Sequence, residues 1–212
     1  GLPIDVPHPG GTLPLDGLDD RLLQAVIRAG RLWTTQQIQV NGSGAADNNG
    51  GRNAVRWYEI GSLDSTPALV QSGTVFDGAA ASPVSYWMGG IMANGQGHAA
   101  LGMSVAGAGS HVNTAFTGRL ASDPPGVMDP PSQYSANSSF SYNQQSAPAT
   151  MQRWGDYSYT SVDPDDDMTF WTIQQYVNAT NSYAVRLVRL LAPPPPAIAS
   201  ISPTVIDAGV GT

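Results

Sequence analysis

Residues 154–175 read Trp-Gly-Asp-Tyr-Ser-Tyr-Thr-Ser-Val-Asp-Pro-Asp-Asp-Asp-Met-Thr-Phe-Trp-Thr-Ile-Gln-Gln, and this stretch decides the fold class. The segments 158–162 and 169–177 are rich in β-branched and aromatic residues, which favour strands. The segment between them, 163–167, is rich in Asp and Pro, which favour turns. The stretch therefore predicts two antiparallel strands joined by an acidic turn.

Short strands of the same kind are predicted along the rest of the chain, because apolar and polar residues alternate between turn signals. The predicted strands cover residues 23–28, 31–40, 53–60, 68–72, 85–92, 99–105, 158–162, 169–177 and 183–191. A tight turn at Ala29-Gly30 joins the first two. A short helix over 18–28 is the second choice for that segment. The sequence therefore predicts an all-β protein.

An internal repeat refines this prediction. Trp33-Thr-Thr-Gln-Gln37 recurs as Trp171-Thr-Ile-Gln-Gln175, at an offset of 171 − 33 = 138 residues, and half of that offset leads from Trp33 to Gly102. Three units of roughly 69 residues fit the chain, a length compatible with four-stranded blades. We expect consecutive antiparallel blades of a β-propeller. Since three blades do not close a ring, the expected partners are further blades on the same precursor or on another chain. A β-sandwich complete within this chain is the alternative.

The composition limits the classes of function. The chain has 212 residues, of which 12% are charged, with nine Lys and Arg together against sixteen Asp and Glu and a net charge of −7. Such a chain is a poor partner for nucleic acid, whose phosphates require clustered cations. The absence of cysteine excludes disulfides, thiolate metal sites and cysteine nucleophiles. No apolar run reaches transmembrane length, so membrane insertion is not expected.

A boundary is predicted at residue 193, where a run of four prolines begins. Residues 1–192 form the expected β-repeat region, and 193–212 the expected linker and start of another domain. The segment Ala197-Ile-Ala-Ser-Ile-Ser-Pro-Thr204 resembles the opening strand of an immunoglobulin-like IPT/TIG domain, although Asp207-Ala208 departs from that pattern. A disordered proline-rich tail is the alternative.

The stretches Arg153-Trp-Gly-Asp-Tyr-Ser158 and Asp163-Pro-Asp-Asp-Asp-Met-Thr-Phe-Trp171 resemble the last blades of large, exported bacterial proteins of the sialidase-like propeller type. Gln175 replaces a Glu of that pattern, and Met168 replaces a frequent Cys. The resemblance implies a propeller fold and a secreted or cell-surface location. It implies little about activity, because one fold hosts many functions.

The acidic turn is a candidate metal site. Four carboxylates fall within five residues, and hard cations such as Ca²⁺ are held by several oxygens from loops of this kind. The candidate Ca²⁺ ligands are Asp163, Asp165, Asp166 and Asp167. The spacing is not that of an EF-hand. The alternative is a solvated turn whose aspartates accept backbone N–H bonds.

Aromatic and polar residues provide the candidate ligand-binding site. Aromatic faces stack on sugar rings, and neighbouring polar groups bind hydroxyls. The candidates are Trp154, Asp156, Tyr157, Tyr134 and Tyr142. For the tryptophans the alternative is core packing, and for Asp156 it is a hydrogen bond that ties strands together.

No catalytic residue is assigned. Glu59 is the only glutamate, and it is expected to be an ordinary strand carboxylate. The sialidase Asp-box is absent, which weakens a glycosidase interpretation. The expected function is a non-catalytic binding or scaffold region of a large exported surface protein that contacts glycans or another protein. Part of a propeller glycoside hydrolase of the sialidase-like type is the alternative.

Overall fold

The computed structural model describes residues 1–133, 139–156 and 158–194, and it arranges them as eleven strands in three antiparallel sheets. These residues contain no helix, and so none that is long and apolar enough to cross a membrane. The prediction of an all-β antiparallel protein is confirmed. The tail from residue 195 onward, and with it the IPT/TIG-like segment, lies outside the described residues.

Each sheet is a meander whose strands follow one another in chain order. Sheet I contains β1 (Leu22–Arg28), β2 (Arg31–Val40), β3 (Arg52–Gly61) and β4 (Ala68–Val75). Sheet II contains β5 (Ser85–Ala93), β6 (Ala99–Gly107), β7 (Ser110–Arg119) and β8 (Ser132–Gln133). Sheet III contains β9 (Tyr159–Val162), β10 (Thr169–Ala179) and β11 (Ser182–Leu191).

All nine predicted strands are present. The second-choice helix over 18–28 is wrong, because the apolar residues of this segment pair across the tight turn, with Ile27 opposite Leu32 in the antiparallel register of β1 and β2. Strands β7 and β8 were not predicted.

Sheet II lies between the other two sheets, and every residue of its strand β6 is buried. One face of β6 presents Leu101, Met103 and Val105 to a cluster that includes Trp33 and Trp57 of sheet I. Its other face meets sheet III, where Ala100 packs with Val162 and Phe170. The three sheets are therefore stacked face to face. The described residues do not form a closed ring of sheets.

The first strands of the three sheets, β1, β5 and β9, converge. Three successive carbonyl groups of β5 accept hydroxyl donors from both sides: Ser158 Oγ donates to Met88 O, Thr35 Oγ1 to Gly89 O at 2.6 Å and Thr160 Oγ1 to Gly90 O at 2.6 Å. The buried amide of Gln24 then joins β1 to β9, donating to Thr160 O at 2.9 Å and accepting from Thr160 N at 3.2 Å.

Candidate functional site

The acidic turn between β9 and β10 is held by its own carboxylates. Asp163 accepts hydrogen bonds from Asp165 N and Trp171 Nε1, each at 3.1 Å. Asp166 accepts from Met168 N and Thr169 N, each at 2.8 Å, and from Thr169 Oγ1 at 2.6 Å. The Thr169 hydroxyl bond, followed by the backbone bonds, lowers the pKa of Asp166.

Asp167 points away from the other carboxylates of the turn. Its carboxylate accepts from Arg28 at 2.5 Å and from Gly95 N at 2.8 Å, and so ties the turn to sheets I and II. In the described parts of the chain, no three acidic or imidazole side chains are grouped so that they could hold a metal ion. These contacts agree with the alternative expectation of a solvated turn whose aspartates accept backbone N–H bonds. Ca²⁺ binding by this turn stays a prediction.

Two of the candidate ligand-binding aromatics lie in the core. Trp154 is 2% exposed and Tyr142 is 6% exposed, and their rings meet edge to face at 5.3 Å. Trp154 Nε1 donates to Ser104 Oγ of sheet II at 3.2 Å. These rings therefore pack between chain segments and present no face to a ligand in solvent. Tyr134 and Tyr157 lie outside the described residues.

Asp156 is the one candidate ligand-binding residue that the structure places at an accessible surface. Its carboxylate is paired with Arg153 Nη2 at 2.7 Å. Together with Leu18, Arg21 and Leu22 it lines a groove of about 280 Å³ where β1 and β9 begin. The sequence does not indicate that residue 156 lies beside residues 18–22, because these residues are far apart in the chain.

Glu59, the only glutamate, lies in strand β3 and is 8% exposed. It accepts a hydrogen bond from Gln71 Nε2 at 2.6 Å and lies 3.7 Å from Arg31 Nε. The side chain therefore bridges neighbouring strands of sheet I, as expected for a strand carboxylate.

The outer face of sheet III is largely apolar, although Arg189 also lies on it, and no other sheet of the described residues covers it. We call it the open face and define it by Tyr159, Trp171, Ile173, Val185, Leu187 and Leu191, which alternate with inward residues along β9, β10 and β11. Tyr159, Val185, Leu187 and Leu191 are each between 56% and 66% exposed. Contiguous apolar patches of this kind mark interaction surfaces. The sequence signal was the mostly apolar segment of β11, in which each face carries apolar residues and one arginine, Arg186 or Arg189, so that apolar residues lie on both sides of the strand.

The repeat places three residues at matched positions. Trp33, Gly102 and Trp171 each lie in the second strand of their sheet, β2, β6 and β10. Trp33 is buried against sheet II, and a side-chain atom added at Gly102 would collide with Thr172 of sheet III. Trp171 lies on the open face, so it points in the direction in which a following sheet would be found.

No protein-family model, curated protein or solved structure matches this chain. The resemblance to exported propeller proteins and to an IPT/TIG domain therefore rests on the sequence motifs alone.

Proposed function

We propose that this chain is a non-catalytic binding and scaffold region of a large exported surface protein, built from consecutive propeller blades, and that its open face is covered by another antiparallel sheet. The observation that carries the proposal is the exposure of the open face at the end of the stack. The partner is a further blade of the same polypeptide.

The internal repeat supports this choice of partner. The face of sheet I that carries Trp33 is covered by sheet II, whose first strand β5 crosses it. The open face carries Trp171 at the matched position and has no sheet over it among the described residues. A following sheet would bury the open face as sheet II buries the corresponding face of sheet I, and burial of that apolar area would stabilise the pair.

The form of the sheets supports the blade interpretation. Each is a meander, and their first strands converge while the later strands lie farther out along each sheet. A β-sandwich has two facing sheets, whereas here sheet II is covered on both faces.

The use of the charged groups supports a non-catalytic role. Asp166 accepts hydrogen bonds within the acidic turn. Asp167 binds across to the neighbouring sheets, and Glu59 bridges strands of sheet I. A glycosidase needs two carboxylates that flank a substrate. Secretion or surface display is proposed from the resemblance of the 153–171 motifs.

The test is hydrogen exchange of β10 and β11 in the isolated chain and in the intact surface protein. Backbone amides of residues 183–191 should exchange at least about tenfold more slowly in the intact protein, because the covering sheet suppresses local opening. Leu187→Asp, which places a charge in the open face, should remove this protection. Sheet I lies on the far side of sheet II from the open face, and amides of its strand β3 serve as the internal control. Equal exchange of β11 in the two forms would overturn the proposal.

A further inference from the structure

The groove where β1 and β9 begin is a second surface feature, separate from the centre of the open face. We call it the β1–β9 groove. Its walls are formed by Leu18, Arg21, Leu22, Arg153 and Asp156, and its volume is about 280 Å³. A second depression of about 410 Å³ shares Leu23 and Ser158 with it and extends to Tyr159. The β1–β9 groove by itself lies near the lower end of the size range of small-molecule sites, whereas the second depression is also lined by Ile173 of the open face and would be closed by the proposed covering sheet.

The backbone around this groove is strained. Leu18 and Asp156 have φ angles of 55° and 68°, which residues with side chains rarely adopt. Local contacts hold both residues in place, since Leu18 N donates to Asp16 Oδ1 at 2.8 Å and Asp156 N donates to Trp154 O at 3.0 Å. Non-glycine residues in this region occur preferentially at ligand and active sites. Here the strain orients a leucine and a carboxylate that both line the groove.

The charges of the groove are balanced in pairs. Arg21 Nη2 lies 2.5 Å from Asp19 Oδ2, and Arg153 Nη2 lies 2.7 Å from Asp156 Oδ2. The Arg21 hydrogen bond lowers the pKa of Asp19 to about 2, so this carboxylate stays charged at neutral pH. Arg153 and Asp156 both line the groove and offer N–H donors and a carboxylate acceptor side by side, with no net charge, whereas Asp19 neutralises Arg21 from outside the lining. Neighbouring hydroxyl groups of a neutral polyol can both donate to and accept from such pairs.

Apolar surface accompanies the ion pairs. Leu22, which lines the groove, is 58% exposed. Sugar rings have C–H faces that pack on such side chains while their hydroxyls bind polar groups. An anionic ligand would meet the carboxylate of Asp156, and a purely apolar ligand would leave the Arg153–Asp156 ion pair desolvated and unmatched.

We infer that the β1–β9 groove binds a neutral saccharide. Arg153 donates to its hydroxyls, Asp156 accepts from them, and Leu22 contacts a C–H face of the ring. This inference adds a ligand to the binding region proposed above and does not depend on the covering sheet.

The test is titration of the isolated chain with cellobiose, maltose and lactose, and with galacturonic acid as the charged comparison, followed by calorimetry and amide chemical shifts. At least one neutral disaccharide should bind with Kd below about 10 mM, and shifts should concentrate at residues 18–23 and 153–158. Arg153→Gln and Asp156→Asn should each weaken binding by about tenfold or more. Arg189→Gln, an exposed arginine outside the groove, should leave binding unchanged.

Absence of shifts with every neutral disaccharide would overturn the inference, as would tighter binding of galacturonic acid. The two proposals fail separately. Leu187→Asp removes docking on the open face but should leave saccharide binding intact, whereas Arg153→Gln should leave the exchange of β11 in the intact protein unchanged.

Discussion

Trp33 and Trp171 occupy the same place in a repeated motif but lie in different surroundings. Trp33 is 2% exposed and stacks on Trp57, with ring centroids 6.0 Å apart and planes 18° apart. Trp171 is half-buried, donates to Asp163 and lies under the guanidinium of Arg189 at 5.9 Å. The motif therefore places each tryptophan in the second strand of its sheet and on the corresponding face. Whether the ring is buried depends on the presence of a neighbouring sheet over that face.

The largest effect should come from truncating the two tryptophans. Trp33→Ala should lower the free energy of unfolding by about 3–5 kcal/mol, because it leaves a cavity under sheet II. Trp171→Ala should cost less than about 1 kcal/mol, because its ring is not enclosed. Urea unfolding followed by circular dichroism measures both. Equal losses of unfolding free energy in the two variants would show that the open face of the isolated chain is covered in solution.

The interface between sheets II and III can be tested at the matched glycine. Gly102→Ala should destabilise the protein by about 1–3 kcal/mol, because the new methyl group would collide with Thr172 and Gln174. Gly42→Ala is the control, since its added carbon would be 3.8 Å from Arg52 Nη2, an ordinary contact. Similar unfolding midpoints for the two variants would contradict close packing at residue 102.

Gln24 of sheet I links that sheet to sheet III, whose outer side is the open face. Gln24→Leu removes both hydrogen bonds to the Thr160 backbone and leaves these buried groups without partners, so it should cost about 1–2 kcal/mol. Gln96→Leu, in the partly exposed turn between β5 and β6, should change stability by less than about 0.5 kcal/mol. If Gln24→Leu proved neutral, the convergence of β1 with β9 would not contribute to stability.

The smallest effect concerns pH. Burial lowers the pKa of His8, which the bond to the Tyr142 carbonyl only partly offsets, and nearby His111 lowers it further. The unfolded chain therefore binds the proton more readily, so stability should be constant above about pH 6.5 and fall as the pH drops below that value. Unfolding midpoints at several pH values measure this. His8→Gln should reduce the fall of the unfolding midpoint below about pH 6.5. If the midpoint of this variant fell with pH as steeply as before, another group would be responsible for the pH dependence.

Much of the fold was predictable because most strands alternate between turn signals. Two strands were missed: β8 has only two residues, and β7 carries polar residues on both faces, Asn113 on one and Thr114 on the other, so its polar and apolar residues do not alternate. The stacking of the sheets was suggested only by the repeat.

The site was less predictable, because exposure is a tertiary property. Trp154 and Tyr142 have suitable ring types, but packing between distant segments buries them. Arg21 and Arg153 are 153 − 21 = 132 residues apart in the sequence and meet only in the groove. Among the candidate ligand-binding residues that the structure describes, Asp156 alone lies at an accessible groove.

Strand β5 has a consequence for folding cooperativity. Its backbone is irregular between Trp87 and Gly90, Met88 has a φ angle of 55°, and its successive carbonyls bind side chains from sheets I and III in turn. Neither interface can form in its native geometry until this one strand is in place. Sheets I and III therefore depend on the same few residues, and the described region should lose its structure in a single cooperative transition rather than sheet by sheet.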